Sequence, residues 1–118
     1  MRRAITVELK DVRVPALTTQ TDLPHAFPRD GAKLSLENAR VLVWDYTLQP
    51  GRTVPLHFHD KDTVAIFLGA GKIQSRTSGG TETVQEVKTG PVLCSPRERT
   101  HSEEAVQGAP RAIVIERK

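Results

Sequence analysis

One cysteine, Cys94, in 118 residues has no partner within the chain, so an internal disulfide is excluded and an oxidising compartment has left no mark. No apolar run approaches the ~20 residues that a membrane-spanning helix needs. Met1-Arg2-Arg3 is followed by the polar Glu8-Leu9-Lys10-Asp11 in place of a signal-peptide core, which makes the cytoplasm the expected address. Aromatic residues are scarce, at 4%, and no basic run with interleaved aromatics occurs: Arg2, Arg3, Lys10, Arg13, Arg40, Arg52, Arg97, Arg99, Arg111 and Lys118 stand scattered among acids. The excess of 17 basic over 14 acidic residues therefore reads as solubility, and neither a nucleic-acid nor a membrane partner is expected. Internal repeats, low-complexity tracts and long helical-period windows are missing as well.

What is present suits one compact core: 37% hydrophobic and 26% charged residues in a chain of single-domain length. Residues 1–33, interrupted by Pro15, Pro24 and Pro28 and by Thr18, Thr19 and Thr21, read as an N-terminal arm with one short strand, for which Ala4-Ile5-Thr6-Val7 is the candidate. Residues 34–118 read as the main domain. Short runs rich in Val, Ile, Thr and aromatics recur there: Arg40–Leu48, Thr53–His59, Thr63–Leu68, Lys72–Thr77, Glu82–Lys88, Pro91–Ser95 and Ala109–Glu116. Pro50-Gly51, Asp60 to Asp62, Gly69 to Gly71, Ser78-Gly79-Gly80, Thr89-Gly90 and Pro96 to Thr100 break them, and Leu34–Arg40 leaves room for a turn of helix. The pattern predicts an all-β sandwich or small barrel, with a tight hairpin at Gly79-Gly80. Trp44, Tyr46 and Leu48 share one face of the first run; they read as core, with an apolar pocket lining as the alternative. Phe67 reads as core beside Ala65, and Cys94 as a buried packing residue.

His57-Phe58-His59 is the most informative feature. Residues i and i+2 of a strand face the same way, so two imidazoles project together, and His101, 42 residues on, follows another run that an antiparallel barrel could return beside them. Three neutral imidazoles make a transition-metal site with open coordination positions.

Gly51, His57 and His59 stand at the intervals of the motif G-x5-H-x-H-x(3,4)-E-x6-G, with Gly69 one residue short of its closing glycine, and Gly90, Pro96 and His101 match G-x5-P-x-G-x2-H-x3-N. On these residues the chain resembles a small single-domain cupin. The resemblance implies a double-stranded β-helix (jelly-roll) barrel with an N-terminal arm or strand and a homodimer in which the arm pairs across the interface. It also implies a divalent transition metal (Fe, Mn, Ni, Zn or Cu) held by His57, His59 and His101. Asp62 falls near the glutamate position, as a fourth ligand or as a solvated turn residue; Glu98 replaces the second motif's glycine and Ala105 its asparagine. The expected function is a metal-binding cupin acting as an iron-dependent oxygenase on a small organic substrate inside the barrel. The alternatives are a non-catalytic metal or small-ligand sensor and a metal-dependent isomerase or lyase. No catalytic residue is assigned, and no protein nucleophile is expected. Acid and base candidates are Glu103, Glu104, Asp62, Tyr46 and Asp45. Of these, Glu103 could orient an imidazole, although a surface carboxylate is the expected reading for both Glu103 and Glu104. Arg40, Arg52, Arg76 and Arg111 are candidate carboxylate anchors if any points inward, and His25 is read as a surface residue.

Overall fold

Alternating side chains with β-branched and aromatic residues on one face give seven strands in the computed structural model, which describes residues 3–10 and 13–118. Met1, Arg2 and Asp11, used above in reading the start of the chain, lie outside the described residues. The strands are β1 (Ala32–Glu37), β2 (Val41–Thr47), β3 (Val54–His59), β4 (Thr63–Thr77), β5 (Glu82–Val87), β6 (Val92–Ser95) and β7 (Arg99–Arg117), and every pairing between them is antiparallel.

The long strands β4 and β7 pair with each other along most of their length and carry the architecture. The first half of β4 pairs with β6 and the second half with β5; the first part of β7 pairs with β3 and the last with β2, which carries β1 on its far edge. Two opposed layers result, β1-β2-β7-β4-β6 and β3-β7-β4-β5, joined where the long strands turn the corner. The register of β4 on β7 shifts between Phe67 and Gly69 and again between Gly69 and Gly71. At that corner a Cβ on Gly71 would lie 2.3 Å from the Gln107 carbonyl oxygen, and Gly108 opposite has φ +69°, so the close crossing needs glycine on both strands.

The expected break at Gly69–Gly71 is thus a bend inside one strand and not a turn between two. Likewise β7 begins at Arg99, ten residues before the run expected at Ala109. Leu34–Arg40 forms no helical turn: Leu34 and Leu36 belong to edge strand β1, register-shifted between them. The hairpin at Gly79-Gly80 closes as expected, with the Gly80 N–H donating to the Thr77 carbonyl and φ +87° at Gly80.

Trp44, Tyr46, Leu48, Phe67, Ile73, Val87, Ala105, Ala112 and Val114 form the core together with Ala26 and Phe27. Phe27 stacks on Trp44 at 5.1 Å and meets Tyr46 edge-on at 5.9 Å. Trp44 Nε1 donates to the buried carboxylate of Glu116 at 2.7 Å, which satisfies both groups. Cys94 is exposed, contrary to expectation, because β6 turns Leu93 and Ser95 towards the interior and sends Cys94 outwards beside Val64.

Within the single chain Ala4–Val7 is not part of a strand. The arm is tied at separate points instead: Arg117 donates to the Lys10 carbonyl, Arg97 to the Pro15 carbonyl, and the Thr18 and Thr19 N–H groups to Glu98 Oε1 at 2.7 and 2.6 Å. Glu98 stands where the second motif has glycine and retains that backbone, with φ +64°. Phe58, pointing away from the histidines, is buried beneath Pro24–Ala26, which exchange two backbone hydrogen bonds with it.

Candidate metal centre

Strand register alone assembles the site. In the β3–β7 ladder His57 lies opposite His101 and His59 opposite Arg99, so four side chains rise from one inner face. The three imidazole centroids form a near-equilateral triangle with sides of 5.0, 4.7 and 5.0 Å. One ligand nitrogen from each lies within 4.8 Å of the others, and the Nε2 atoms of His59 and His101 are 3.0 Å apart.

The imidazoles are prepared as neutral donors. Burial pushes His57 down to about 4, and burial together with the Arg99 charge pushes His59 down to about 2; His101 is lowered for the same first reason. His57 Nδ1 lies 2.8 Å from the Pro55 carbonyl, which can only accept, so Nδ1 carries the proton and Nε2 the lone pair. Arg29 donates to that lone pair at 3.1 Å, a hydrogen bond that a metal bound to His57 would replace. His59 Nδ1 is buried without a partner. Nitrogens bound at ~2.1 Å to one ion stand ~3.0 to 3.4 Å apart, a separation that His59 and His101 already meet. Three converging neutral nitrogens fit a divalent transition metal.

Asp62 is not brought to this cluster. Its carboxylate accepts from the Arg97 backbone N–H at 2.8 Å and from the Arg97 guanidinium at 3.2 Å, a pairing that closes the β3–β4 turn onto the segment before β7. Glu103, expected at the surface, points inward: it accepts from Arg29 at 2.8 Å, and both side chains are only about an eighth exposed. Burial pushes its carboxyl up, but the Arg29 charge and hydrogen bond hold it below the usual carboxylate range. Glu104 takes the opposite face of β7, and Asp45 pairs with Arg111 at 2.7 Å. The Tyr46 hydroxyl is buried without a partner, and burial pushes the phenol well above its ordinary pKa, so it stays protonated.

His59, His101, Arg29, Arg99 and Glu103 line a cavity of about 580 Å³ inside the barrel. Phe27, Phe67, Ile73 and Val114 furnish apolar wall, and Thr63, Ser75 and Thr77 furnish hydroxyls. Arg40, Arg52, Arg76 and Arg111, the candidate anchors, are all exposed and absent from this lining. Arg29 and Arg99 line it instead. Arg99 was legible two residues before His101 had β7 been extended that far, whereas Arg29, in a proline-rich stretch, carries no periodic signal. His25 is exposed, as expected, beside Asp60 at 3.5 Å.

No protein-family model and no curated protein sequence matches the chain. Solved structures do. A cupin domain from Bordetella pertussis Tohama I superposes with a TM-score of 0.68 at 21% identity, over 84% of this chain and 99% of that one. A putative mannose-6-phosphate isomerase from Ralstonia eutropha JMP134 gives 0.57 at 14% identity over 82% and 92%. A DMSP lyase from Ruegeria pomeroyi DSS-3 gives 0.55 at 17% identity over 69% of this chain and 40% of that one. The fold is that of a small single-domain cupin, a double-stranded β-helix.

Proposed function

We propose that the protein is a metal-dependent enzyme, an iron-dependent oxygenase acting on a small organic substrate inside the barrel, with His57, His59 and His101 as ligands. The observation that carries this reading is the convergence of three neutral imidazoles, two of which, His59 and His101, line a 580 Å³ cavity. An iron ion held by His57, His59 and His101 would supply Lewis-acid and oxygen-activating chemistry. The chain's own contribution is to hold His57 in one tautomer through the Pro55 carbonyl and to shield the reacting centre with Phe27, Phe67, Ile73 and Val114. Asp62 serves the fold through Arg97 in this reading. The reading includes a homodimer in the cytoplasm: an exposed free thiol at Cys94 suits a reducing compartment, and the unpaired Ala4–Val7 run suits a partner's sheet edge.

Iron-loaded protein is expected to consume oxygen with at least one member of a carboxylate, diketone and catechol panel. Full iron occupancy without consumption across the panel would overturn the oxygenase reading. A second reading, a metal-dependent isomerase or lyase, is favoured by the buried, unpartnered Tyr46 hydroxyl, a proton donor at the cavity wall near the Arg29–Glu103 pair. The similarity in fold to a lyase and a putative isomerase supports it in general terms. A protein that binds metal and ligand but turns over neither class would be a sensor.

A further inference from the structure

Four arginines pair with carboxylates among the described residues: Arg29 with Glu103, Arg76 with Glu82, Arg97 with Asp62 and Arg111 with Asp45. Arg99 differs. It begins β7 opposite His59 and lines the cavity, half-buried, yet no described carboxylate forms an ion pair with it. Of the five N–H donors of a guanidinium, Nε donates to the Pro96 carbonyl and Nη2 to Thr63 Oγ1 at 3.1 Å, both neutral acceptors. The remaining donors have no acceptor among the described residues.

Buried charges are normally paired, because desolvation without a counter-charge is costly. The charges lining the cavity sharpen the point. Arg29 is neutralised by Glu103, and the histidines are neutral, so Arg99 leaves the chamber with a net positive charge beside the three imidazoles. A single planar fork fits a carboxylate, bidentately, better than a phosphate dianion, which would call for several cationic donors. Leu93 and Phe67, both on the lining, offer apolar wall to the rest of such a molecule.

We propose that Arg99 anchors the carboxylate of a small organic monocarboxylate with an apolar body, held in the cavity beside His57, His59 and His101. The proposal rests on the metal-enzyme reading for its location and deepens it by naming the substrate class and the residue that selects it.

Calorimetric titration of the untagged protein with hexanoate and with hexanamide tests it, alongside Arg99→Gln and Arg99→Lys, with metal content and melting temperature measured on each preparation. Wild type is expected to bind hexanoate at least roughly tenfold more tightly than hexanamide. Arg99→Gln is expected to lose about tenfold to a hundredfold of the hexanoate affinity with hexanamide binding and metal content unchanged, and Arg99→Lys to fall between. Equal binding of acid and amide, an unaltered hexanoate affinity in Arg99→Gln, or no hexanoate binding by wild type at ~10 mM would overturn the proposal. If Arg99→Gln does not fold, Arg99→Lys and the acid-against-amide comparison in wild type still decide. The comparison needs no metal, so a protein without metal that still prefers hexanoate would refute the metal reading and leave the anchor standing.

Discussion

Replacing Arg29 by methionine preserves most of its stem while leaving Glu103 without its counter-charge inside the barrel. The ion pair is 2.8 Å long with both side chains about an eighth exposed. At an effective dielectric constant of about 20 that separation corresponds to about 6 kcal/mol of attraction, much of it offset by desolvation. Removing one partner of such a pair costs about 3–5 kcal/mol because the other is left charged in an apolar setting. The guanidinium also lies 4.7 Å over the Phe27 ring and 4.1 Å over Tyr46, and each contact adds roughly 0.5–1 kcal/mol. Against a total domain stability of about 5–15 kcal/mol, Arg29→Met should therefore be severely destabilised. The double substitution Arg29→Met with Glu103→Gln should recover about 2 kcal/mol or more relative to the sum of the single changes. Urea unfolding followed by the emission of Trp44, which stacks on Phe27 beneath Arg29, measures all four proteins. A cost below about 1 kcal/mol for Arg29→Met, or strict additivity in the double variant, would refute the inward ion pair.

Three further outcomes are expected. Gly71→Ala forces a Cβ to within 2.3 Å of the Gln107 carbonyl and should lower stability by about 1–3 kcal/mol or more, read by chemical denaturation. Unfolding the metal-free protein releases His57 from about 4 to its ordinary 6.5, so below pH 6.5 the unfolded chain binds more protons; stability is full above pH 6.5 and should fall by about 3 kcal/mol from His57 alone as pH approaches 4. This is checked by melting temperature against pH in the presence of a chelator, and a flat profile would contradict the neutral buried imidazole. Glu98→Gly suits the φ of +64° but deletes the carboxylate that holds Thr18 and Thr19, so trypsin should cut at Arg13 faster while the melting temperature changes little.

The sequence was most legible where one face of a strand is apolar and the other is not. Trp44, Tyr46 and Leu48 alternate cleanly and are buried together, and the motif intervals led directly to the clustered His57, His59 and His101. It was least legible along β7 from Arg99 to Glu103, because there the inward face is itself the site. Arg99, His101 and Glu103 occupy core-facing positions with polar side chains, so hydrophobic periodicity vanishes where the strand matters most. Glu103 reads as a surface residue in the sequence because the partner that permits its burial, Arg29, lies 74 residues away in the proline-rich stretch. Cys94 departs from expectation for a different reason: β6 is only four residues long, and its apolar composition does not say which face is inner.

The central claim is that His57, His59 and His101 hold a metal ion. Elemental analysis of protein purified without a histidine tag or chelator, side by side with His57→Ala and His101→Ala, tests it most directly. About one transition-metal ion per wild-type chain, lost in both variants while their melting profiles stay cooperative, is the expected result. Wild-type protein that carries no metal and takes up none from added iron, manganese, nickel or zinc would contradict it.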